Sequence, residues 1–209
     1  MNSPKTTLSI ASSLVSNGVV DLVLANGTTT VLKDDEATVR ALDPNDELEP
    51  PQGVVTPAPT QFSGSLPQAV DLTTTLWYDQ SLLRRFSSNH VTTKQWLARV
   101  VAFATTRFAD PSLNVRINLK IESVRETKLT LKATNAHIYD IARKRINPNY
   151  LNSYFCHDAG GGIVGIAFLK TACARNGYAV NINEYFSNTN SELTSARVFV
   201  HEVGHNIGM

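Results

Sequence analysis

The order of hydrophobic periodicities along this chain predicts an α/β fold: a mixed, mostly parallel open sheet with helices packed on it. Two observations carry that prediction. From residue 69 onward, stretches rich in β-branched and aromatic residues alternate with stretches whose apolar residues recur every three or four positions. Before residue 66 no helical periodicity exists, and the composition shifts to acidic residues and prolines.

Taken in order, Val19 to Val31 contains the turn signal Asn26-Gly27 between apolar runs and predicts a small hairpin. Acidic residues from Asp34 to Glu49 and the prolines Pro50, Pro51, Pro57, Pro59 and Pro67 follow, which predicts an extended linker and a boundary near residue 66. Residues 1–66 are thus expected to be a poorly structured appendage to a domain over 67–209. Val70 to Tyr78 is β-branched and aromatic and predicts a strand. Trp96, Leu97, Val100, Val101, Ala104 and Phe108 form one stripe, which predicts a helix from Thr92 with Thr92 or Thr93 as cap and Asp110-Pro111 as stop. Val115 to Val124 alternates apolar and polar, as a strand with one wet face does. Ile138, Ile141, Ala142 and Ile146 predict a second helix over 135–146, with Arg143-Lys144-Arg145 near its end. Ile163 to Leu169 and Tyr178 to Tyr185 read as two strands.

The final segment predicts a helix from Ser191 as N-cap, with Leu193, Ala196, Val200, Val203 and Ile207 as its apolar stripe. Gly208 suits a left-handed helix end. Within that helix lies His201-Glu202-Val203-Gly204-His205, an H-E-x-x-H pattern that a shuffled chain of this composition would contain in roughly 0.5% of cases. Histidines four apart on a helix project from one face about a turn apart, so both imidazoles can reach one metal ion. A neighbouring glutamate can act as a base toward water on that metal.

Composition narrows the alternatives. A 209-residue chain with 42% hydrophobic residues can bury a core, and a formal charge of +1 offers no reason to expect nucleic acid or an anionic membrane as partner. No run of eighteen apolar residues exists to span a bilayer. The N-terminal stretch from Lys5 to Val15 is broken by serines and reads as no signal peptide, while Asn26-Gly27-Thr28 is a glycosylation sequon. The two cysteines, Cys156 and Cys173, match no zinc spacing. A disulfide between them, pairing of each with another cysteine, and two free thiols all remain open. Gly160 to Gly165 formally satisfies G-x-G-x-x-G, but strand-like sequence follows where a dinucleotide site needs a helix. His90 and His137 stand alone and read as structural.

Several strings resemble the reprolysin-like branch of the metzincin metallopeptidases, the ADAM and snake-venom type, over residues 67–209. Asp110-Pro111-Ser112-Leu113-Asn114-Val115 is similar to that family's D-P-S-L-x-[IV]. Gly165-Ile166-Ala167-Phe168-Leu169 with Cys173 is similar to its G-[LI]-A-[YF]-[VL]-x-x-x-C edge strand, and His201 to Met209 to its H-E-x-G-H-N-x-G-M. His157-Asp158-Ala159 looks like the remnant of an H-D-x-A-x-L-L-T strand, expected here to be shortened before Gly160-Gly161-Gly162. The resemblance implies the N-terminal subdomain of a metzincin catalytic domain, preceded by the end of a pro-region without the inhibitory cysteine some relatives use. It implies that His201 and His205 are zinc ligands and that Glu202 is the general base assisting attack of a zinc-bound water on internal peptide bonds. Gly165, Ile166, Ala167 and Phe168 would form the edge strand that pairs with a protein or peptide substrate. The third histidine would lie two residues past Met209, so the chain is expected to be an incomplete piece that binds zinc weakly and cleaves little. An extracellular or secretory setting is expected. The rival readings are a non-catalytic protein-binding module and a zinc enzyme of another branch with a glutamate as third ligand.

Overall fold

The computed structural model describes residues 10–16, 19–24, 29–33, 47–51, 69–110, 116–160, 163–186 and 191–209. The Asn26-Gly27 turn and sequon, most of the proline-rich linker, Pro111 to Val115 and Gly161-Gly162 lie outside the described residues. Nine strands and four helices are described: β1 (Ile10–Ser16), β2 (Val19–Leu24), β3 (Thr29–Lys33), β4 (Glu47–Leu48), β5 (Ala69–Tyr78), α1 (Gln80–Arg85), α2 (His90–Phe108), β6 (Arg116–Glu126), α3 (Asn135–Arg143), β7 (Leu151–Cys156), β8 (Gly165–Phe168), β9 (Val180–Glu184) and α4 (Ser191–Ile207).

The first three strands form an antiparallel sheet in the order β1-β2-β3, so the expected hairpin is present as β2 and β3 and gains β1 alongside. The remaining six strands form the main sheet in the order β4-β8-β9-β7-β5-β6. Every neighbouring pair in it is parallel except β8 and β9. The predicted fold class, a mixed and mostly parallel open α/β sheet, is the observed one.

Strand alternation sends side chains to two apolar layers. Leu72, Leu76, Leu151 and Phe155 face α2 and α4, where they meet Trp96, Leu97, Val100 and Phe199. Tyr154, Cys156, Ile166, Phe168, Val180 and Ile182 face α3, where they meet Ile138, Ile141 and Ala142. A sheet covered on both faces buries its central strands entirely, and all six residues of β7 are buried.

That central strand has no clear sequence signal. Leu-Asn-Ser-Tyr-Phe-Cys carries polar residues at buried positions, and those are satisfied by partners only the fold supplies. Asn152 Oδ1 accepts from Trp77 Nε1 at 3.0 Å, and the Ser153 hydroxyl lies 3.1 Å from that of Thr74. The strand ends at Cys156, just before the His157-Asp158-Ala159 string, so the central sheet is intact rather than shortened there.

Caps differ from expectation by a few residues. Asn89, not Thr92 or Thr93, caps α2, its side chain accepting from Val91 N and Thr92 N at 3.0 and 3.1 Å. Asp79 caps the unpredicted short helix α1 through Leu82 N and also accepts from Leu131 N across the fold. Helix α3 stops at Arg143, before the predicted Ile146, because Arg145 and Asn147 take positive φ angles of 49° and 51°.

Candidate metal centre

Helix α4 is buried on two faces, which sets how it can present side chains. Leu193, Ala196 and Val203 meet the apolar layer under α2, as the predicted stripe requires, with Val200 and Ile207 partly buried beside it. A second face, Ser195, Phe199, Glu202 and Asn206, is fully buried against the sheet. Arg99 of α2 donates to Glu192 in the first turn at 2.9 Å and ties the two helices together. Ser191, the expected cap, is instead the first helical residue, and the residues just before it lie outside the described residues.

The lower end of α4 is held by the loop after β8. Lys170 N donates to His205 O at 2.9 Å and Ala172 N donates to Asn206 O at 2.8 Å, satisfying carbonyls that a helix end leaves without intrahelical donors. Gly208 has φ +85° and Met209 N donates to Gly204 O at 2.9 Å, a Schellman ending as the sequence predicts. Asn206 reaches into the sheet: its Nδ2 donates to Phe168 O at 2.9 Å and Val180 O at 3.1 Å, and its Oδ1 accepts from Asn181 Nδ2 at 2.8 Å. Asn181 in turn accepts from Asn183 at 2.7 Å. This buried amide ladder fixes the helix against β8 and β9.

With two faces used, the third carries the histidines. His201 and His205 are partly exposed, their rings 4.4 Å apart and steeply inclined at 83°, with the two Nε2 atoms 2.9 Å apart. They stand on a recess of about 320 Å³ whose wall also includes Phe108, Val200, Gly204 and Met209. Tetrahedral zinc with bonds of about 2.0–2.1 Å would hold two such nitrogens about 3.3 Å apart. A slight opening of the rings accommodates it, so the donors present fit the ion. Behind the pair, Glu47 Oε2 lies 3.5 Å from His205 Nδ1, where an outer-shell carboxylate orients a ligand imidazole. Among the described residues, no group of three or more His, Cys, Asp or Glu is arranged to hold a metal.

Glu202, next to His201 in the helix, is fully buried. Its carboxylate occupies the space over Gly165: a Cβ built there would lie 2.3 Å from Glu202 Oε1 and 2.8 Å from Val198 Cγ1. Gly165 and Ala167 are the residues of β8 on the α4 side, while Ile166 and Phe168 fill the layer under α3. The small–large alternation of Gly165-Ile166-Ala167-Phe168 is therefore what lets α4 lie close to the sheet on one side while the other stays filled.

A family model described as metallo-peptidase family M12B, reprolysin-like, matches residues 97–209, just over half of the chain and all of α4. The chain belongs to this family. No curated protein matches it. A solved structure of a chaperone–substrate complex contains a chain similar to this one at 17% identity with a TM-score of 0.52. The match covers 88% of this chain and spans only 28% of that one, so it speaks for the fold alone.

As a reprolysin-like metallopeptidase domain, the chain has its H-E-x-x-H pair converging in space as the helical spacing predicts. Gly165 to Phe168 do form a strand, but its outer side carries β4, paired at Ala167 and Phe168. Sequence reasoning missed Glu47 and the amide ladder. The alternation Asn181-Ile182-Asn183 was the available signal, since it puts two amides on one face of a strand. The cysteines do not bond each other: Cys156 is sealed at the end of β7 on the α3 side, its thiol pushed up well above the usual range chiefly by burial, while Cys173 is exposed. His90 pairs with the Tyr78 hydroxyl at 2.9 Å and His157 stacks on Tyr185, both as structural groups.

Proposed function

We propose that the protein works in a zinc-dependent endopeptidase that hydrolyses internal peptide bonds of protein or peptide substrates. The observation that carries this reading is the convergence of the His201 and His205 Nε2 atoms on one point in a domain of a metallopeptidase family. His201 and His205 hold the ion, and Glu47 orients the His205 ring from its other nitrogen. Zinc, when bound, polarises a carbonyl and makes water a stronger acid. Glu202, in its dry setting over Gly165, is the group that takes up the proton. Gly165 to Phe168 align an extended substrate by backbone hydrogen bonds. Residues 1–66 are the end of a pro-region, and the setting is extracellular or secretory.

Among the described residues two histidines converge here, where a catalytic zinc site uses three protein donors, and this pair alone holds zinc loosely. Metal analysis after equilibration with excess zinc and brief dialysis tests the site. The chain should retain zinc, His205→Ala should fall at least tenfold, and Glu202→Gln should retain as much as the parent, because Glu202 is no ligand. Equal zinc in the parent and His205→Ala removes the metal-centre reading.

A further inference from the structure

We propose that α3 and the loop after β8 together form a binding surface for a linear sulfated polysaccharide. This surface lies across the sheet from α4, so it neither uses nor covers the histidine pair.

Cations from three stretches of chain meet there. Arg143, Lys144 and Arg145 are consecutive and exposed where α3 ends. Arg145 turns out of the helix at φ 49°, and its Nε donates to Asn176 O at 3.2 Å. Gly177 packs so close to α3 that a Cβ on it would lie 2.5 Å from Ala142 O. That contact brings the exposed Arg175 beside the triplet, although the two are far apart in sequence. Lys132, also exposed, joins from the other end of α3. Lys132 and Lys144 both act by charge on the His137 imidazole, which lies between them in the chain. Asp140, 3.5 Å from Arg143, offsets one of these charges. A helix of nine residues is about 14 Å long, so the cations form a strip rather than a point.

Helix capping does not use these side chains. The backbone N–H groups of Lys144 and Arg145 already donate to Ile141 O and Ala142 O at 3.1 and 3.0 Å. A strip of cations matches a chain of anions, because neutralising successive anionic groups releases their condensed counterions. What surrounds the strip selects the polyanion. Among the described residues no aromatic side chain is exposed to stack on nucleobases. The nearby rings of Tyr139 and Tyr178 both pack on Phe168. The exposed large apolar side chains are Val70, Val91 and Met209, none on α3 or the loop after β8, so nothing there anchors in acyl chains. An anionic chain with neither bases nor acyl groups fits, and its sulfate oxygens suit the arginine forks.

The experiment uses the full chain and a fluorescein-labelled heparin dodecasaccharide, read by fluorescence anisotropy at about 0.15 M salt. Lys144→Ala/Arg175→Ala should weaken binding about tenfold or more. Arg84→Ala/Arg116→Ala removes the same charge from exposed positions on α1 and β6 and should change affinity less than about twofold. All these side chains are exposed, so thermal melts of both variants should match the parent. Unlabelled heparin should displace the label, and desulfated heparin should not. No binding by the parent overturns the proposal. Equal losses in the two double variants overturn it too, because net charge and not the strip then holds the polyanion. Displacement by polyuridylate as readily as by unlabelled heparin overturns the choice of a sulfated sugar as partner. Zinc retention should be the same in parent and Lys144→Ala/Arg175→Ala, and a loss would overturn the separation of this surface from the histidine pair.

Discussion

Gly165 is a residue whose missing side chain does the positioning. A β-carbon there would sit 2.3 Å from a Glu202 oxygen and 2.8 Å from Val198, closer than real contacts allow, and the backbone of β8 cannot retreat because β9 holds it. Gly165→Ala should therefore cost about 2 kcal/mol of stability by overpacking, read from urea unfolding. In a Glu202→Ala background the same substitution should cost clearly less, because one of its two clashes is gone. Equal costs in the two backgrounds would show that the carboxylate does not lie over that glycine. The motif glycine is legible in the sequence, but its reason is not. Nothing in a linear string says that residue 165 meets residue 202.

At the scale of elements, α4 is the clearest case of a helix specified twice. Its apolar stripe and its glycine ending are local features and both hold in the structure. Gly208→Ala should lower the melting temperature by about 2–4 °C, because a left-handed φ costs an L-residue about 1 kcal/mol or more. Gly208→Asn should recover most of that loss in the same thermal scan. An alanine variant as stable as the parent would mean that the ending is not left-handed in solution. What local patterning misses is the second buried face of the same helix, where Glu202 and Asn206 are polar yet have no exposure. Sequence patterning reads such residues as solvent-facing; the carbonyls of Phe168 and Val180 and the Asn181 amide make burial tolerable for Asn206. Strand β7 escaped for the same reason, its Asn152 and Ser153 being paired across the sheet. Helix α3 ran short of its predicted end because Ile146 continued the periodicity while the chain had already turned at Arg145.

At the scale of the whole molecule, three buried acids share one sign. Burial raises the Tyr78 hydroxyl to about 12, with the Glu126 charge adding to it, and burial pushes Tyr154 and Cys156 upward as well. Each group keeps its proton in the folded protein after the unfolded chain has lost its own. Their contribution is therefore complete below the ordinary thiol and phenol values, about 8.5 and 10, and declines as pH rises through the shifted ones. The protein should melt at steadily lower temperature from about pH 9 to 12. Tyr154→Phe should flatten that decline, and at neutral pH it should be neutral or slightly stabilising, since the Tyr154 hydroxyl is buried with no hydrogen-bond partner among the described residues. A decline equally steep in the variant would assign the alkaline loss to other groups.

Local sequence by itself determined the α/β class, most element positions, the glycine ending of α4 and the pairing of His201 with His205. All of these follow from backbone periods and from spacing within one element, which a chain carries wherever it folds. Tertiary structure alone decided that β7 is the centre of the sheet and that Gly165 makes room for Glu202. It also decided that Asn206 is tied to two strands and that Glu47 lies beside His205. Each joins residues tens of positions apart, and only packing against the sheet brings such partners within reach of a hydrogen bond or a van der Waals contact.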